Sequence, residues 1–153
     1  MPAVDNREII RRAVEAFNSQ NMEAMSEFYA STVVGHSMYE AVDPLTGEKV
    51  GYDNEFSQEE AEKFVAFERE MFPEAHTTID EMFEIGDDKV LTISTTTQTH
   101  KSGKKVTSKG MGIDRIADGK IVETWYSWDR LGYYQQMGLV PPTIELVAKL
   151  REL

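Results

Sequence analysis

Apolar residues recur every three or four positions along the first half of the chain and mostly every second position from about residue 76 onward. Ile9, Ile10, Ala13, Val14 and Phe17, then Met22, Met25 and Phe28, fall at helical spacing, with the polar run Asn18-Ser19-Gln20-Asn21 between them. The pattern predicts a helix from Asp5, a break, and a shorter helix to about Tyr29. Asp5 followed by Glu8 reads as an N-cap with a capping-box partner, because side-chain oxygens there can take the free N–H groups of the first turn. Val33 to Met38 reads as a short strand. Asp43-Pro44-Leu45-Thr46-Gly47 is turn chemistry, and the segment on to Asn54 has no firm period, which predicts a loop able to act as a lid. Ser57, with Glu60 three residues on, opens a helix whose buried side carries Phe64, Phe67 and Met71 and which stops before Pro73.

The stretches 76–83, 90–100, 105–116 and 121–127 alternate or are β-branched, and Gly86-Asp87-Asp88, Ser102-Gly103 and Asp118-Gly119 separate them. They predict an antiparallel meander. Thr143, behind two prolines and followed by Leu146, Val147 and Leu150, predicts a short terminal helix whose loss should matter less than loss of the meander. Helices first and strands afterwards give an α+β class: apolar helix stripes must cover one face of a curved sheet, and a pocket between the layers is the natural place for a ligand.

Composition narrows the function. The 153 residues hold no long linker and no repeat, so residues 1–153 are expected to form a single domain. A net charge of −11 disfavours phosphate backbones and anionic lipid, which need clustered Lys and Arg, so neither nucleic acid nor membrane is an expected partner. No apolar run approaches the ~20 residues that span a bilayer, and no signal-type apolar region opens the chain; a soluble, cytoplasmic protein is expected. With no cysteine, disulfides and thiolate chemistry are excluded and the work falls to oxygen and imidazole. Glu59, Glu60, Glu62 and Glu68 to Glu70 lie mostly on the outer side of their helix, where charge keeps a domain soluble.

Candidate chemistry concentrates near the C-terminal hairpin. Trp125-Tyr126-Ser127-Trp128-Asp129 sets a carboxylate at the end of an aromatic strand, where burial would raise its pKa toward the range useful for proton transfer. The opposing reading has Asp129 capping the following short helix or pairing with Arg130, which would keep it ionised. Alternation puts Trp125, Ser127 and Asp129 on one strand face and Tyr126 and Trp128 on the other.

Ile113-Asp114-Arg115-Ile116, then Asp118-Gly119-Lys120-Ile121-Val122-Glu123-Thr124-Trp125, then Trp128-Asp129-Arg130-Leu131-Gly132-Tyr133-Tyr134-Gln135-Gln136-Met137-Gly138-Leu139, resembles the C-terminal signature of SnoaL-like polyketide cyclases, members of the nuclear transport factor 2-like superfamily. The resemblance implies a cone-shaped α+β barrel and an aspartate acting as general acid/base in an intramolecular aldol closure, with no cofactor. By position that aspartate maps to Asp129. The superfamily also hosts isomerases, epoxide hydrolases, dehydratases and proteins without known catalysis, so fold alone selects no reaction. The family's imidazole and amide on the strand before the hairpin are missing here, where Met111 and Ile113 are the inward candidates. His36 is the substitute for stabilising an enolate, against a plain half-buried strand histidine. The remaining expected pocket walls are Trp125, Tyr39, Phe67 and Trp128. Water addition to an epoxide, or dehydration, would need Tyr39 or Glu123 beside Asp129.

His76 and His100 read as surface residues, and the three histidines show no metal-ligand spacing, so no metal is expected. Gly110-Met111-Gly112 lacks the third glycine and following helix of a dinucleotide site, and no Gly-x-Ser-x-Gly elbow occurs. A sheet covered on one side leaves a second face whose Tyr and Trp favour a subunit contact, so a homodimer is expected. The reading at this level is a cofactor-free cyclase or isomerase acting on a small, largely apolar carbonyl compound, with a non-catalytic binding or assembly module as the alternative.

Overall fold

The structure, a computed structural model, describes residues 5–153. Helix α1 (Asn6–Asn18) starts where Asp5 accepts a hydrogen bond from the Arg7 N–H at 2.9 Å; Glu8 pairs instead with Arg11, so the expected capping box is not closed. Helix α2 (Met22–Phe28) is capped by Asn21, which accepts from Ala24 N–H. Helix α3 (Gln58–Met71) has the full box, Ser57 and Glu60 each taking the other's backbone N–H.

Six strands form one sheet in the order β2-β1-β6-β5-β4-β3: β1 (Tyr29–Val42), β2 (Lys49–Ser57), β3 (Glu74–Ile85), β4 (Lys89–Thr99), β5 (Lys105–Ala117) and β6 (Lys120–Trp128). The fold is α+β, and β3 to β6 are the antiparallel meander that their alternation predicts. The Asp118-Gly119 turn takes left-handed φ at both residues (51° and 74°), which matches the twist of the strands it joins. The first strand is longer than expected. The presumed lid is mostly a strand too, with Asp53 paired to His36 and Asn54 to Gly35; register shifts between His36 and Ala41 hide the alternation that would have revealed the hairpin. β1 also pairs parallel to β6, joining the two ends of the chain's order.

All three early helices pack on one face of this sheet, α1 across β3 and β4, α2 against β1 and β6, α3 along β1 and β2. Ile9, Ile10, Ala13 and Ala16 of α1 meet Phe28, Val90, Ile116 and Ile121 in the main buried cluster. Burying one such aliphatic side chain contributes roughly 1.5–3 kcal/mol, so α1 is held mainly by its stripe and not by its caps. Two short helices follow the sheet, α4 (Arg130–Gln136) and α5 (Thr143–Leu150). No described helix is long and apolar enough to cross a membrane.

Candidate active site

Cross-strand register decides which side chains look toward the helices. Val90 is fully buried beneath α1 and stands opposite Asp114, which stands opposite Thr124. The next inward row is Thr92, Gly112 and Tyr126, and the one after it Ser94, Gly110 and Trp128. The inner face of β5 therefore reads Gly110, Gly112, Asp114. A Cβ placed on Gly112 would meet only the Trp125 carbonyl oxygen, at 3.4 Å, so no side chain fills the space above it. In these rows Tyr126 and Trp128 flank the two glycines on one side and Thr92 and Ser94 on the other, and the Asp114 carboxyl stands in the adjoining row.

Burial raises the Asp114 pKa from 3.8 to about 6, against the opposing effect of a hydrogen bond from Thr124. The Tyr29 hydroxyl is pushed upward as well, first by burial and then by the charge of Asp114, which places the two groups in electrostatic contact. Tyr29 also lines a cavity of about 180 Å³ with Ala13, Val14, Phe17, Met25 and Thr77. Tyr39 and Tyr126 are shifted up by burial too, and Tyr39 accepts a hydrogen bond from the Trp128 indole. The inner face thus combines a carboxyl poised to gain and lose a proton near pH 6 with phenols that stay protonated donors at neutral pH. The buried Thr92 hydroxyl finds no partner among the described residues.

The leading residues of the sequence reading are distributed differently from expectation. Asp129 lies past the end of β6, exposed, with its carboxylate accepting from Gly132 N–H at 2.8 Å as the N-cap of α4; the absence of a side chain on Gly132 leaves room for that approach. It is not in the aromatic wall. His36 lies on the outer face, stacked on Trp125 with ring centroids 4.9 Å apart. Its Nδ1 is 2.7 Å from Asp53 and its Nε2 2.8 Å from Glu123, whose other oxygen takes Arg115 Nε at 2.8 Å. Carboxylates only accept, so an imidazole between two of them is protonated on both nitrogens, and these bonds to Asp53 and Glu123 raise its pKa. It ties β2, β1, β6 and β5 together and faces away from Asp114. Trp125, Met111 and Ile113 share that outer face, so they do not line the inner hollow. Tyr39 and Trp128 do stand on the inner side; Phe67 is half-buried on α3. Glu123 is engaged by His36 and Arg115 and is not beside Asp129. Asp114, Thr124 and Tyr126 are not among the site residues that the sequence pointed to. Asp114 and Thr124 are the cross-strand partners of Val90, and Tyr126 lies two residues beyond Thr124, a placement that only the register reveals. Among the described residues, no group of three or more acidic or imidazole side chains is arranged to hold a metal ion.

A model of the SnoaL-like polyketide cyclases matches residues 7–137. The chain belongs to that family. Among solved structures, IdmH of Streptomyces antibioticus superposes with a TM-score of 0.75 at 25% identity, over 88% of this chain and 99% of that one. A Catenulispora acidiphila protein with a ketosteroid isomerase-like fold, solved with trimethylamine, gives 0.69 at 16% identity over 87% of this chain and 94% of that one. TerC, crystallised with polyporic acid, gives 0.72 at 17% over 87% and 98%. No curated protein matches the chain. For a SnoaL-like family member, the inner face of the sheet beneath the helices is where the geometry of this chain leaves space.

Proposed function

We propose that this SnoaL-like protein is a cofactor-independent cyclase or isomerase of a small carbonyl compound, with Asp114 as its general acid/base. The observation that carries the reading is the floor at Gly112, with no side chain within 4 Å of where its Cβ would stand, beside a carboxyl whose pKa burial raises to about 6. Asp114 as carboxylate would take a proton from the carbon next to a carbonyl. The neutral phenols Tyr29 and Tyr126 would donate to the enolate oxygen, and the protonated Asp114 would return its proton to the alkoxide formed on ring closure. Such proton transfer contributes about two to four orders of magnitude in rate, and holding the ligand folded against Tyr126 and Trp128 supplies more. The hydroxyls of Thr92 and Ser94 suit a ligand with oxygens along one edge, and the aromatic wall suits a flat apolar body.

The test is turnover of a panel of polyketide-like and steroid-like carbonyl compounds, followed by mass spectrometry, with wild type, Asp114→Asn and Asp129→Asn. The expected result is product from wild type and Asp129→Asn, and binding without product from Asp114→Asn. Product from Asp114→Asn would end the assignment, and its loss in Asp129→Asn alone would move the chemistry to the strand end. Binding without product in all three would favour a ligand-binding module, a reading that the capping role of Asp129 keeps in play.

A further inference from the structure

One carboxyl of the helical layer stands apart from its neighbours. Glu59, Glu60, Glu62 and Glu70 of α3 are exposed, and three of them are engaged: Glu59 with Lys63, Glu60 in the capping box and Glu70 with Lys101. Glu68 instead shares the inward line of α3 with Ala61, Val65 and, just past the helix end, Phe72, at spacings of three and four residues, and it is half-buried. Burial raises its pKa, and the charge of Arg69 pulls it back only in part; among the described residues its carboxylate has neither a hydrogen bond nor an ion pair. Arg69 is committed elsewhere, donating to the Phe17 carbonyl with its guanidinium over the Phe17 ring, 4.6 Å from the centroid.

The surroundings of Glu68 are aromatic. Phe72 follows one helical turn later, its N–H bonded to the Glu68 carbonyl at 2.7 Å. Tyr133 packs on Phe72 with ring centroids 5.8 Å apart and on Trp128 at 5.2 Å. The Tyr133 hydroxyl is pushed up to about 12, first by burial and then by the charge of Glu68, so that ring and the carboxylate lie together. A carboxylate only accepts hydrogen bonds, and withdrawing one from water without a donor or a cation is costly. Aromatic rings beside an unpaired carboxylate favour a cation over a neutral donor, because the ring faces are negative as well. The chain makes one such contact itself, with Arg130 over the Tyr39 ring at 4.2 Å. Its net charge of −11 draws cations toward it from a distance.

We propose that Glu68, with Phe72, Tyr133 and Trp128 about it, binds an ammonium group of the ligand, which makes the substrate an amine-bearing carbonyl compound. Trp128 stands in the row of Gly110, four residues along β5 from Asp114, a distance of ~13 Å. The two carboxyls thus serve opposite ends of one ligand, Asp114 the carbon acid and Glu68 the cation, and a ligand so held enters in one direction. This role presumes the inner hollow as the ligand site; it is separate from the proton transfer assigned to Asp114, whose own test is the turnover of Asp114→Asn.

The probes are choline and 3,3-dimethylbutan-1-ol, which have the same shape and differ in a positively charged nitrogen against a carbon. Each is titrated into wild type, Glu68→Gln, Glu68→Asp and Glu70→Gln, and the indole N–H signals of the two tryptophans are followed by NMR. Choline is expected to move the Trp128 signal at concentrations at least tenfold below those that the alcohol needs. Glu68→Gln should remove that preference and Glu68→Asp should retain part of it. Glu70→Gln, which takes the same charge from an exposed site, should keep it whole. Equal affinity of wild type for the two probes would overturn the ammonium assignment and leave the hollow as a ligand site. A preference that survives Glu68→Gln, falls equally in Glu70→Gln, or shows at Trp125 in place of Trp128 would overturn it too. No shift of Trp128 by either probe would remove the hollow as the site along with it.

Discussion

Replacing Asp114 by asparagine is expected to stabilise the protein above neutral pH. Burial raises its pKa from 3.8 to about 6, so the folded state holds a proton that the unfolded chain has already released. Well below pH 3.8 the carboxyl is neutral in both states and contributes no pH-linked difference. Between pH 4 and 6 stability falls as pH rises, because the native state binds more protons than the unfolded one, and above pH 6 the full cost persists. A shift of about two units, at about 1.4 kcal/mol each, comes to about 3 kcal/mol. Asparagine has nearly the same shape and no charge, so Asp114→Asn should match wild type at pH 4 and exceed it by about 3 kcal/mol at pH 8. For a chain of this length that is roughly 6–12 °C in melting temperature. Urea unfolding of both proteins at the two pH values measures it directly. A variant no more stable than wild type at pH 8, or equally favoured at both pH values, would show that Asp114 is solvated and would remove the physical basis for its catalytic role. The expected pairing of higher stability with lost turnover is that of a group kept for chemistry at the fold's expense.

His36 behaves in the opposite sense. Its pKa is raised by Asp53 and Glu123, so its contribution is present below the unfolded value of 6.5 and fades as pH climbs through the higher folded value; His36→Gln should therefore cost about 1–2 kcal/mol at pH 6 and much less at pH 9, by denaturant unfolding. A cost independent of pH would mean that the imidazolium bridge is not formed. Gly112→Val should fill the floor of the hollow, weakening binding of any ligand found in the carbonyl screen by tenfold or more while leaving the melting temperature within a few degrees, since a β-branched residue suits a strand and only one atom lies near the new Cβ. Unchanged affinity in that variant would place the ligand elsewhere.

The helices and the meander were legible because their apolar spacing and punctuation are regular, and Ser57 with Glu60 or Asp118 with Gly119 carry their own local geometry. The site was not, for a physical reason. Inward-facing residues are ordinarily the larger apolar ones, and on β5 that rule chose Met111 and Ile113 over Gly110, Gly112 and Asp114. A face that must hold a ligand needs small and polar residues, whereas here the opposite face carries methionine, isoleucine and tryptophan, so the usual signal is inverted. Parity along β6 left both faces open, and only the contact of Val90 with α1, two strands away from Tyr126, resolves it. Asp129 was visible as either base or cap, and its geometry is that of the cap.

The parallel pairing of β1 with β6 has a kinetic consequence. The meander closes through short turns, so Asp114 and its neighbours can come together locally. Joining His36 to Glu123, 87 residues apart, costs about 4 kcal/mol in loop closure before any bond repays it. Docking of the β1–β2 hairpin is therefore the slow, late event in folding. Until it happens, the Trp125 strand is an unprotected edge, and the chain's main risk of misassembly during synthesis lies there, at the seam its first strand has yet to close.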